Sequence, residues 1–147
     1  MGSRDADIDF TFTSPTSVRV ILDALAGAGW SVEVSCGRVE YMINDADDTY
    51  EWRYGIPDDI GEVVKLLDAL ENLAHSVAVN VHHPAADTGG MLMFLAGRTD
   101  VSFVPSINRR RIQAAPEFTD LAWYLHSLVP ALVAVGLEGY EANEVRY

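Results

Sequence analysis

Between Pro57 and His83 the hydrophobic period changes once, from three-and-four spacing to strict alternation, and the rest of the chain can be laid out around that change. Ile60, Val63, Val64, Leu67, Leu70 and Ala74 recur at helical spacing, with Leu66 and Leu73 widening the stripe. This predicts a helix from about Asp59 to Ala74, turning Gly61, Glu62, Lys65, Asp68 and Asn72 to water. Asp59 and Glu62 have the spacing of a capping box, with Pro57 and Asp58 just ahead. Val77, Val79 and Val81 then alternate with Ser76, Ala78, Asn80 and His82, the pattern of a strand with one face on a core, which Pro84 ends.

The same two periods divide the remainder. Ile8, Phe10 and Phe12 alternate in a first strand; Ser14-Pro15 is a helix start, and Val18, Ile21, Leu22 and Leu25 form its stripe up to Gly27 or Gly29. Trp30, Val32 and Val34, then Val39, Tyr41 and Ile43, form a hairpin about Cys36-Gly37. A turn at Asn44 to Asp48 leads to a strand with Tyr50, Trp52 and Tyr54 on one face and Glu51 and Arg53 on the other. Pro84 to Gly90 is expected to be a loop. Met91 to Leu95 and Val101 to Val104 pair through Gly97-Arg98-Thr99-Asp100, and Pro105 to Pro116 is expected to be mostly irregular. Leu121, Tyr124, Leu125, Leu128, Leu132 and Val135 predict a last helix with Pro130 inside it, stopped by Gly136 before a closing strand from Tyr140 to Tyr147. The order, β-α-β-β-β-α-β-β-β-α-β, repeats a unit of one helix and three strands without residue-level identity between the copies. It predicts one α+β domain, a mainly antiparallel sheet with about three helices packed on it.

Composition adds a size and a sign. The 147 residues, 49% of them hydrophobic, are enough for one sizeable core. No apolar run is long enough to span a membrane, and the acidic start lacks the centre of a signal peptide, so a cytoplasmic protein is expected. Cys36 is the sole cysteine, which excludes an internal disulfide. The net charge of −12 argues against nucleic-acid binding. Half of that charge lies between Asn44 and Glu62, where Asp45, Asp47, Asp48, Glu51, Asp58, Asp59 and Glu62 face Arg53 alone. Such a run is either a solvated surface or a docking face for a basic partner.

Catalytic signatures are missing from the sequence. There is no Gly-x-Ser-x-Gly elbow, and Gly89-Gly90 lacks the lysine and spacing of a phosphate loop. His75, His82, His83 and Asp87 form the one grouping with the atoms for a metal, but neighbours on a strand point to opposite faces, so no metal or cofactor is expected. His126 is expected to be partly buried in the last helix. Arg109-Arg110-Arg111 either balances the acidic surface or grips an anionic ligand. Tyr50, Trp52 and Tyr54, beside the acids, are either packing or anchors for a partner.

An acidic, cysteine-poor α+β chain with the Asn44 to Glu62 run and the Tyr50/Trp52/Tyr54 ladder resembles the immunity proteins with which bacteria neutralise polymorphic or contact-dependent toxins. The resemblance implies a non-enzymatic inhibitor that binds a basic toxin or effector through Asp45, Asp47, Asp48, Tyr50, Glu51, Trp52, Asp58 and Asp59. Two alternatives stand beside it: a small enzyme, such as a metal-dependent hydrolase using His82, His83 and Asp87, and a ligand-sensing or assembly domain.

Overall fold

The computed structural model describes residues 4–45 and 51–146. Its elements are β1 (Arg4–Phe12), α1 (Val18–Ala26), β2 (Ser31–Val32), β3 (Val34–Ser35), β4 (Arg38–Asn44), β5 (Trp52–Gly55), α2 (Ile60–Leu67), β6 (Ser76–His83), β7 (Thr88–Phe94), β8 (Asp100–Ile107), β9 (Arg111–Ile112), β10 (Ala115–Thr119), α3 (Leu121–Val133) and β11 (Leu137–Arg146). The strands form an antiparallel sheet in the order β11-β1-β8-β7-β6-β4, with β5 on the outer edge of β4 and β2–β3 filling the gap where β4 and β6 diverge. β9 and β10 make a separate small hairpin. The fold is α+β. Among the described residues no helix is long and apolar enough to cross a membrane.

One face of the sheet carries the core. Ile8, Phe103, Leu92 and Val79 lie in one row across the strands and Phe10, Val101, Phe94, Val77 and Ile43 in the next. Ile21 and Leu25 of α1, Val64 and Leu67 of α2, and Tyr124, Leu128 and Leu132 of α3 close over these rows in one buried cluster. Trp30 joins the layers: its indole N–H donates to Ser127 Oγ at 2.9 Å, and its ring meets His83, Phe103 and Trp123.

The central helix is shorter than its hydrophobic period. α2 stops at Leu67, the chain turns extended at Ala69, and Leu70 is 86% exposed. The cause is tertiary. Asp68 turns away to cap α1, its carboxylate accepting the backbone N–H groups of Val18 (2.8 Å) and Arg19 (3.0 Å), an interaction of about 0.5–2 kcal/mol. Asn72, expected on the wet side, is buried and donates to Leu66 O at 2.8 Å, satisfying the end of α2. Asp59 occupies the cap of α2 without a side-chain hydrogen bond, so the capping box does not form. In α1 the capping hydroxyl belongs to Ser17, which accepts from Val20 N–H, and not to Ser14.

Three further segments depart from expectation. Thr88, Gly89 and Gly90 are strand, not loop: β7 begins immediately after a short turn, and a Cβ on Gly90 would lie 2.0 Å from Val104 O, so only glycine allows the bulge there. The segment 105–116 is strand at both ends, because β8 runs on to Ile107 and β9–β10 forms a hairpin. Glu144 of β11 holds that hairpin: its carboxylate, 8% exposed, accepts from Thr119 N–H (2.9 Å), Thr119 Oγ (2.7 Å) and Arg109 (3.2 Å). Finally, β11 starts earlier than expected, at Leu137, and pairs with β1 along its length.

Arg98 lies in the expected turn between β7 and β8, yet its side chain is 1% exposed. It adopts φ +63°, and its guanidinium donates to the carbonyls of Asn72, His75 and Leu95 at 2.8–2.9 Å, with Phe94 O at 3.4 Å. Burial lowers its pKa, nearby Asp68 opposes that effect, and the group remains a cation at neutral pH.

Two substitutions test this account. Leu67→Ala should cost about 2–5 kcal/mol in denaturant unfolding, because a fully buried leucine loses both transfer energy and packing. Arg98→Met should cost at least about 3 kcal/mol, since several buried carbonyls lose their donor together. Unchanged midpoints would refute either assignment.

Candidate binding face

The helices cover one face of the sheet, and strand alternation assigns the side chains of the other. In register across seven strands run Glu141, Asp9, Ser102, Met93, Ala78, Met42 and Trp52. The adjacent row contains Asn143, Asp7, Val104, Met91, Asn80, Glu40 and Tyr54. The face is therefore divided. Its β11–β1 end is acidic, with Asp5, Asp7, Asp9 and Glu141, and Asp100 of β8 beside them. From β8 to β5 it is largely apolar, with Val104, Met91, Met93, Ala78, Met42 and Trp52.

The acidic end is crowded. Asp9 and Glu141 stand directly opposite each other on paired strands, an arrangement that destabilises a sheet. Burial, then Asp9, and behind it Glu141 and Asp5, raise the pKa of Asp7, while a hydrogen bond from Asn143 works in the other direction. Among the residues whose side chains are described, no cation pairs with Asp5, Asp7, Asp9 or Glu141, and the ion pairs of acids with arginine or lysine are Asp45–Arg53, Glu62–Lys65 and Glu144–Arg109. At the far end Arg38 stacks over the Tyr54 ring at 4.3 Å, so this arginine stands at the end of the face opposite the acids. Glu40 and Glu33, nearer that end, are engaged by Asn80 (3.1 Å) and His82 (3.6 Å).

Compared with known proteins, the chain matches no family model, no curated protein and no solved structure at a significant level.

The residues singled out from sequence fall into different places. Asp47, Asp48 and Tyr50 lie outside the described residues. Trp52 and Tyr54 project from the open face, Tyr54 with 53% exposure. Asp45 and Arg53 project from the other side and pair at 3.1 Å, and alternation puts Glu51 with them. Asp58 and Asp59 are exposed in a 3-10 turn leading into α2. The fold thus separates these described acids from the aromatics that adjoin them in sequence.

The histidines also part. His82 is on the open-face side between Glu33 and Asp87 Oδ1 (3.4 Å). His83 points inward: Nε2–H donates to Ala28 O (3.1 Å), Nδ1 accepts from Ala86 N–H (3.2 Å), and the ring lies edge-on to Trp30 and Trp123. Those two bonds use both nitrogens of a neutral imidazole in a packing role. His75 is at the opposite end of β6, so the four candidate ligands do not converge. His126 is exposed, contrary to expectation. Of the arginines, Arg109 is bound to Glu144 and Thr119, Arg110 lies over Trp123 at 4.6 Å, and Arg111 reaches Pro116 O. Arg109 and Arg110 are thus committed inside the protein.

Elsewhere, a hollow of about 240 Å³ lies between α1 and α2, lined by Leu22, Trp30, Val32, Ile60 and Val64, with Arg19 and Asp23 also on its wall. It is chiefly apolar, with Ser31 as a further polar group on its wall.

The crowding at Asp7 has a pH signature. Its folded pKa lies above the unfolded value, so the ionised carboxylate costs stability at neutral pH, and that cost is relieved as the pH falls through the raised pKa. Asp7→Asn should therefore raise the melting temperature at pH 7, with the gain shrinking as pH falls through the carboxylate range, roughly 5 to 3. An equal gain at pH 7 and pH 3 would assign the effect to something other than charge.

Proposed function

We propose that this chain is a non-enzymatic cytoplasmic binding protein that neutralises a basic toxin or effector, in the manner of the immunity proteins it resembles, by docking it on the open sheet face. The observation that carries the reading is the Asp5/Asp7/Asp9/Glu141 group, crowded in register at a cost to stability, on the same face as the partly exposed Met91, Met93 and Trp52. A carboxylate field steers a basic partner, and large apolar side chains at its border supply the contact area that slows dissociation. Methionine suits this use because its flexible thioether adapts to the surface it meets. The acids at Asp58 and Asp59 form a separate group on the helix side, and the two groups can be tested against each other.

The experiment uses the protein as bait in a lysate of its own organism, followed by kinetics with the purified partner. The captured partner should be basic, should stop growth when expressed alone, and should be harmless when co-expressed with this chain. Asp7→Lys/Asp9→Lys should lower the association rate about tenfold or more at low salt and flatten its salt dependence. Asp58→Lys/Asp59→Lys should change it far less. The reverse order of effects would move docking to the helix side, and a partner that is neither basic nor toxic would overturn the reading.

A further inference from the structure

The division of the open face restricts the shape of what binds there. The apolar patch from Val104 to Trp52 crosses four strand spacings, about 19 Å, with Ala78 and Met42 buried between the partly exposed Val104, Met91, Met93 and Trp52, and it is only one apolar residue wide on β8, β6 and β4, where Ser102, Asn80 and Glu40 take the alternate positions. Its long axis therefore runs across the strands and continues, in the same row, into Asp9 and Glu141. The whole row spans about 29 Å. Beneath it the backbone hydrogen bonds of the inner strands are made with their neighbours, so an extended segment laid on this face would find no partners for its own amides. A helix arrives with its amides satisfied, and about 19 helical residues cover that length.

We infer that the open face receives a single helix of the partner, laid across the strands, with its cationic residues gathered at the end over β1 and β11 and its apolar residues over β7 to β5. The inference rests on the reading of this face as the docking surface. It adds a direction that the reading alone does not contain: Arg38 at the β5 end disfavours the reversed orientation, while Asp5, Asp7, Asp9 and Glu141 favour the cationic end opposite.

Two synthetic 19-residue helical peptides of identical composition provide the test, both acetylated and amidated. In one, lysines fill the first third and leucine and methionine line one side of the remainder; in the other, the same residues are interleaved along the helix. Affinity is measured from amide shifts of the intact protein at 50 and 150 mM salt, and a nitroxide placed at either end reports orientation. The segregated peptide should bind at least tenfold more tightly. A label at its lysine end should broaden the Asp7, Asp9 and Glu141 amides, and a label at its apolar end those of Trp52 and Tyr54. Met93→Glu should weaken it at least tenfold. Asp9→Lys, which replaces a like-charge pair by an opposite one and so preserves the fold, should do the same. Equal affinities, a reversed broadening pattern or no binding by either peptide would overturn the inference. A basic partner that still binds with the expected salt dependence when neither peptide does would leave the docking reading standing without the helix, whereas loss of both would remove the two together.

Discussion

The buried guanidinium of Arg98 is the contact on which the arrangement of layers depends. Its donors reach Asn72 and His75, which flank the passage from α2 into β6, and Leu95, at the turn from β7 to β8.

 The Arg98 carbonyl accepts Thr16 N–H just before α1, while Gly97 N–H donates to Leu73 O and Phe12 N–H to Thr99 O. One turn thus joins the exit of β1, the entry of α1, the end of α2 and the start of β6. A charge buried at this junction is tolerable because the carbonyls that surround it would otherwise be unsatisfied themselves. Asp68 completes the junction from the other side by capping α1, and so α2 ends where it does.

With the helices fixed on one face by that junction, the two faces of the sheet meet opposite demands. The covered face is filled to near-complete burial from Ile8 to Ile43 and leaves little latitude in side-chain size. The open face has no such constraint, yet it is not a uniformly polar surface. It combines like charges set opposite each other with Met91 and Met93, which remain partly exposed, two features that a stability requirement alone would remove. Their presence together, on contiguous strands, is what gives the surface its reading as a site.

The elements of that site were unequally visible in the chain. Asp5, Asp7 and Asp9 alternate with Ala6, Ile8 and Phe10, so an acidic outer face on the first strand follows from period two alone. The denser Asn44 to Glu62 run outweighs it only when charge is counted along the chain. Pairing across the sheet adds a second acidic group, because Glu141 arrives beside Asp9 from the other end of the protein, while among the described residues of the run Asp45 is turned to the helix side and paired with Arg53. Nor do Met42, Met91 and Met93 form a pattern in one dimension; they become neighbours only through the pairing of β4, β6 and β7.

What the chain determined by itself was local: the helical stripe of α1, the alternation in β1, β4, β6 and β8, the Cys36-Gly37 turn with both residues at positive φ, and hence an α+β fold with a mainly antiparallel sheet. These follow because side-chain period and turn geometry act over a few residues. Tertiary structure alone decided where α2 stops, that Arg98 is buried, that Gly89 and Gly90 belong to a strand, and which acids share a surface. Each of these depends on a group distant in sequence: the α1 N-terminus for Asp68, the carbonyls at Asn72 and His75 for Arg98, the Val104 carbonyl for Gly90, and β11 for the acids of β1. Periodicity records which residues seek burial. Which partner they reach is settled only when the layers close and every buried polar group must find a donor or an acceptor.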